Sequence, residues 1–233
     1  MKELRTGCKM ISLGIVNAYL IEEAGQFILI DTGYPDSAPK LLKAINELER
    51  SPADVQHILV THCHADHSGS LAEMKRICNA SVYMHALDAE LVRQGRTLRP
   101  YQPGPGVLNS IVNRFMSGMS PSKIEACDID YEVSDGDVLP FAGGIQAIHI
   151  PGHCAGQLAF LWKKDGGLLF VADAASNMFG LGWSFIYEDL EEGKRSLAKL
   201  SNLDFQAACF GHGKPILKNA AQRFRNKWDI QKN

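Results

Sequence analysis

The sequence predicts an α/β fold in which two mixed sheets pack face to face, with helices outside. Two observations lead there. Short apolar runs separated by turn residues occur in both halves of the chain. Each half also holds stretches with leucine and isoleucine at helical spacing.

In order along the chain, residues 10–13, 18–22 and 27–30 are expected as three short strands. Asp36 or Ser37 then caps a helix, with Pro39 in its first turn and Leu41, Ile45 and Leu48 along one side. Residues 58–60 read as a buried strand, followed by a helix near 71–77 and a strand at 81–84. In the second half, residues 145–150, 158–162, 168–172 and 207–210 read as strands. Leu190, Leu197 and Leu200 share one side of a helix near 190–203, and a last helix covers roughly 215–228.

A chain of 233 residues accommodates one domain over 1–233, with ample material for a core. The segment 93–127 stands apart. It is rich in glycine and proline around Pro100 to Gly106, then offers one apolar helix candidate over 107–119. A connection of that length usually serves a site, so it is expected as an insertion or lid.

A net charge of −2 argues against a nucleic-acid surface. No apolar stretch reaches membrane-spanning length, so no membrane partner is expected. The run 10–21 is broken by Asn17 and followed by Glu22-Glu23, which fits a strand better than a signal peptide. Six cysteines (Cys8, Cys63, Cys78, Cys127, Cys154, Cys209) without a CxxC pair fit reduced thiols and a cytoplasmic location.

The most informative stretch is Thr61-His62-Cys63-His64-Ala65-Asp66-His67, directly after the apolar Ile58-Leu59-Val60. It places three of the chain's eight histidines and one aspartate within six positions. Imidazoles and carboxylates together suit a borderline cation such as zinc. Four donors exceed what one catalytic ion takes while keeping a position open for water, so two ions are expected. The other candidate residues fall at strand ends. Asp31 follows 27–30, His153 follows 145–150, Asp173 follows 168–172, and His212 follows 207–210. A sheet delivers such residues to a common edge.

Together these residues resemble the metallo-β-lactamase superfamily, over nearly the whole chain. Its signature H-x-H-x-D-H stands here as His62, His64, Asp66 and His67, followed in order by His153, Asp173 and His212, with Asp31-Thr32-Gly33 matching as well. The resemblance implies a four-layer αββα sandwich. It implies that His62, His64 and His153 bind one divalent ion, and Asp66, His67 and His212 the other, with Asp173 bridging the two. Asp31 would orient the ligand loop. The ions would be zinc first, though the same donors accept iron or manganese. A shared hydroxide would attack the substrate, and Asp66 would orient it or receive a proton. Cys63, Cys154, His57, His85 and His149 are expected to be structural.

For the substrate, the chain is similar to the glyoxalase II and acyl-homoserine lactonase branches. Too few residues follow His212 for the glutathione-gripping helical domain of the former. The latter place a tyrosine three residues beyond the bridging aspartate, where Ser176 stands here, and Tyr187 is the substitute further along. Ser176, Phe179, Trp183 and Tyr187 are therefore the candidate lining of a pocket for an acyl chain or ring, the alternative being that these aromatics pack the second sheet or a dimer interface. The expected activity is hydrolysis of an ester, lactone or thioester of a small, partly apolar molecule, and a homodimer is compatible with it. The alternatives are a phosphodiesterase, or a single- or di-iron redox enzyme such as a persulfide dioxygenase. Binding without catalysis ranks last, because all seven ligands are present.

Overall fold

Consecutive apolar residues at 27–30 and 58–60 need cover on both faces, whereas one-sided strands alternate. The computed structural model, which describes residues 1–106, 109 and 121–228, satisfies both demands. It divides into two compact units, Met1–Leu98 with Ser120–Val133, and Arg99–Met119 with Ser134–Asn233.

The first unit holds a seven-stranded mixed sheet. Its strands are β1 (Lys2–Arg5), β2 (Cys8–Ser12), β3 (Asn17–Glu23), β4 (Gln26–Ile30), β5 (Val55–Leu59), β6 (Ser81–Met84) and β7 (Tyr131–Glu132), neighbours in that order. β1 to β4 are antiparallel, and β4 to β7 are parallel. Parallel pairing requires crossovers. These carry α1 (Ala38–Asn46), α2 (Ala65–Ser68), α3 (Leu71–Cys78) and α4 (Ala86–Arg93). Leu41 and Ile45 form the buried stripe of α1, and α3 packs beside β5. Burial pushes the Cys8 thiol up to about 12 and those of Cys78 and Cys127 to about 11, so all three stay protonated at neutral pH.

The second unit holds a five-stranded sheet. β8 (Val138–Leu139), β9 (Ile145–His149), β10 (Leu158–Trp162) and β11 (Leu168–Phe170) are antiparallel neighbours, and β12 (Ala207–Cys209) lies parallel to β11. Alternate residues Ile148, Leu161, Leu169 and Ala208 share one face. They pack with Leu197 and Leu200 of α5 (Leu190–Ser201) and with Phe224 of α6 (Ala220–Trp228). Two-residue pairs complete the unit: Ala175–Ser176 with Gly182–Trp183, and Gln102–Pro103 with Ile186–Tyr187.

Several elements differ from the sequence expectation. The last helix begins at Ala220 rather than near 215, because Ile216 is spent on a backbone exchange with Ala208 (2.8 and 2.9 Å) and Asn219 turns left-handed. β1, polar and at a sheet edge, has no apolar signal, and α4 shows only a weak one. The helix candidate over 107–119 lies, apart from Asn109, outside the described residues. Among the described residues no helix is long and apolar enough to cross a membrane.

Phe224 is fully buried, with ring centroids 5.3 Å from Phe205, 6.2 Å from Phe210 and 4.9 Å from Trp228. Phe224→Ala is expected to destabilise the protein by about 3–5 kcal/mol. A urea midpoint within error of the wild type would contradict that packing role.

Candidate metal centre

In the first unit one sheet edge delivers the donors. β4, β5 and β6 are parallel, so the loops after them, bearing Asp31, residues 62–67 and His85, leave from the same side. His64 caps α2, its carbonyl accepting from His67 N and Ser68 N at 2.9 Å each, while Asp66 and His67 sit within that single turn. The His62 ring lies 4.8 Å from that of His64 and 4.2 Å from that of His67, centroid to centroid. All three imidazoles are buried, and Asp66 keeps part of its side chain exposed.

Asp31 joins these pieces. Its φ of 61° is left-handed, a conformation aspartate tolerates better than most residues. Thus turned, Oδ1 accepts from Thr61 N at 2.8 Å, and Oδ2 accepts from the Thr61 hydroxyl and from His67 Nδ1, each at 2.8 Å. His67 therefore carries its proton on Nδ1 and presents the Nε2 lone pair. The Thr61 hydroxyl, donating to Asp31, accepts from His62 Nδ1 at 3.0 Å and orients that ring in the same sense. The main chain is stitched as well, with Thr32 N and Oγ1 donating to His67 O (2.7 and 3.0 Å) and Gly69 N to Gly33 O (2.8 Å).

In the second unit β9, β11 and β12 point one way, because β10 is antiparallel to both β9 and β11. Their following loops bring His153, Asp173 and His212 to a common edge. Asp173 Oδ2 lies 3.1 Å from His212 Nε2 and 3.8 Å from His153 Nε2. His153 Nδ1 donates to Ile186 O at 2.9 Å and lies 3.0 Å from Ser184 Oγ, so its Nε2 faces Asp173 with a lone pair. Gly152, at φ 136°, makes this loop's close approach, since any Cβ there would collide with the Gly193 backbone of α5. Gly193 must itself be glycine, because a Cβ would meet Tyr187 Cε1 at 2.5 Å.

The donors fit divalent cations. Two ligands bound tetrahedrally at about 2.1 Å stand about 3.4 Å apart. The donor separations within the units, 3.1 and 3.8 Å around Asp173 and 3.7 Å between His67 Nε2 and Asp66 Oδ2, bracket that value.

The remaining candidates fall as follows. Tyr187 is fully buried; its hydroxyl donates to Ala174 O at 2.9 Å and accepts from Ser184 N at 3.0 Å, and burial raises the phenol's pKa. Ser176 is buried in the short pair with Gly182, its Oγ accepting from Met178 N. Trp183 packs edge-on against Tyr187 and Trp228. Phe179 is 74% exposed. Cys63 is buried with Sγ 3.5 Å from Thr97 O, and Cys154 is buried too. His85 Nδ1 caps α4, His149 Nε2 reaches Ala155 O at 2.8 Å, and His57 lies edge-on to Tyr83 with its pKa lowered by burial.

Sequence reasoning passed over three residues. Thr61 carries the hydroxyl between Asp31 and His62. Asp88, fully buried in the first turn of α4, accepts from Cys63 N at 3.1 Å. Ser184 touches His153. Only Thr61, flanking the histidine cluster, stood where a sequence signal could have marked it.

Residues 11–212 match the family model described as the metallo-beta-lactamase superfamily. The probable metallo-hydrolase YflN of Bacillus subtilis is 27% identical over 236 residues, covering 92% of this chain and 86% of its own length. The thioesterase pkgB of Emericella nidulans is 28% identical over 204 residues, and the match spans 86% of this chain but only 46% of that protein. Among solved structures, a metallo-beta-lactamase family protein from Thermus thermophilus superposes with a TM-score of 0.73 at 25% identity, over 99% of this chain and 80% of its own. The α/β architecture of mixed sheets and helices is the fold of that solved structure.

Two variants test the local geometry. Asp31→Asn keeps the left-handed backbone but loses the second carboxylate oxygen, so metal affinity is expected to fall about 10–100-fold; unchanged affinity in chelator competition would remove Asp31 from its orienting role. Gly193→Ala, worth about 1 kcal/mol of added stability in an open helix, is expected to destabilise instead, and a raised melting temperature would contradict the contact with Tyr187.

Proposed function

The chain belongs to the metallo-β-lactamase superfamily, and from that premise we propose that it is a metal-dependent hydrolase cleaving an ester, lactone or thioester bond in a small, partly apolar substrate. The donors His62, His64, Asp66 and His67 in one unit, and His153, Asp173 and His212 in the other, would hold divalent cations, zinc in the first instance. The observation carrying this reading is the orientation of the imidazoles. His62, His67 and His153 each have Nδ1 engaged with an oxygen, which directs Nε2 outward as a ligand. The similarity to a thioesterase supports an acyl substrate.

When bound, such cations bring the pKa of coordinated water toward neutrality and polarise the scissile carbonyl. The chain's own residues do the rest. Asp66 retains 15% side-chain exposure beside His67, where it orients the attacking water and takes its proton. Asp173 Oδ2 lies 3.8 Å from His153 Nε2 and 3.1 Å from His212 Nε2, placed to complete the donor set when a cation binds. No serine or cysteine nucleophile enters the scheme.

The test is proton release at constant pH from zinc-loaded protein offered an acyl thioester, an acyl lactone and a phosphodiester in parallel. Turnover of an acyl substrate that stops with chelator and returns with zinc is the expected result. Turnover confined to the phosphodiester, or indifferent to chelation, would overturn the proposal. Asp173→Ala is expected to lose much of its bound metal by elemental analysis and to lower kcat more than about 100-fold.

A further inference from the structure

We propose that Ser184 and Tyr187 form a brace that sets the spacing between His153 and Asp173, making Tyr187 a positioning residue of the metal centre. This inference rests on the metal-dependent reading above. Tyr187 spans two strands of backbone with one hydroxyl. It donates to the carbonyl of Ala174, the residue after Asp173, and accepts from the main-chain N–H of Ser184. The Ser184 hydroxyl in turn lies 3.0 Å from His153 Nδ1, and the carbonyl of Ile186, between Ser184 and Tyr187, accepts from that same nitrogen at 2.9 Å.

A single phenol thus ties the loop bearing Asp173 to the segment that aims His153. Its ring is fixed from the side. Gly193 leaves room for the ring edge and for nothing larger, and Trp183 packs edge-on at 6.3 Å. Pairing of Ile186–Tyr187 with Gln102–Pro103 holds the backbone, with Gly104 N donating to Phe185 O at 2.8 Å. The phenol's hydrogen bonds run to backbone, and the residue is fully buried. That places its effect on the ligands rather than on substrate.

The brace makes a ligand-geometry prediction that ordinary core packing does not. Tyr187→Phe removes the hydroxyl and keeps the ring. Cobalt(II) added to the metal-free protein is the probe, read by chelator competition and by its visible ligand-field bands. Tyr187→Phe is expected to bind cobalt about 10-fold more weakly with altered band positions, and Ser184→Ala to shift in the same direction. Phe224→Leu, which loosens the same unit two rings removed from Tyr187 through Trp228 and Trp183, is expected to lower the urea midpoint while leaving affinity and spectrum as in the wild type. Wild-type affinity and spectrum in Tyr187→Phe would overturn the brace alone. A wild-type protein that takes up no cobalt would overturn the metal-dependent reading and the brace with it. A spectral change in Phe224→Leu equal to that in Tyr187→Phe would reduce the brace to general packing.

Discussion

The donor set of the first unit depends on one carboxylate. Asp31 sits where β4 ends, in a backbone conformation that costs a non-glycine residue about 1 kcal/mol or more. Three hydrogen bonds at 2.8 Å offset that strain and join two parallel strand ends through their side chains. The same oxygens decide which nitrogen of His67 faces outward and, through Thr61, which nitrogen of His62 does. Position and chemistry of the ligands therefore come from one interaction, and the strain is localised at the site it serves.

The second unit reaches the same end by different means. A backbone carbonyl and the Ser184 hydroxyl engage Nδ1 of His153. Asp173 follows Ala172, which at φ 52° is another strained non-glycine position at a strand end. His212 is fixed through its main chain, its carbonyl accepting from Asn177 N at 3.1 Å. Backbone acceptors are rigid and cannot titrate, so this donor set is held by folding rather than by charge. In both units the sheet fixes the common edge, and the loops need only fix the last few ångströms.

How much of this was legible in the sequence follows from what kind of signal each feature leaves. Buried strands leave runs such as Phe27-Ile28-Leu29-Ile30, and every expected strand lies on an observed one. The ligand cluster was legible because three histidines in six positions are improbable by composition. Asp31 was legible as one of four polar residues closing apolar strands, and its orienting role only through the family motif. Ser184 and Asp88 were invisible, because their roles depend on tertiary neighbours 31 and 25 residues away. Tyr187 was noticed as a stand-in for the lactonase tyrosine and as a pocket aromatic, whereas its observed contacts come from a hydroxyl placed between two backbone segments. Boundary errors were local, as at Ile216, where pairing with Ala208 overrode helical spacing.

The nested contact of Gly152, Gly193 and the Tyr187 ring carries a consequence for how this sequence can vary. Gly152 is small because Gly193 is close, and Gly193 is small because the Tyr187 ring edge occupies the space its side chain would fill. Substitutions at the three positions are therefore not independent. A smaller residue at 187 opens room for alanine at 193, while alanine at 193 first closes the path for keeping tyrosine. Epistasis of this kind makes the order of mutational steps matter, and it ties the inheritance of a ligand loop, a helix and a buried phenol into one unit of descent.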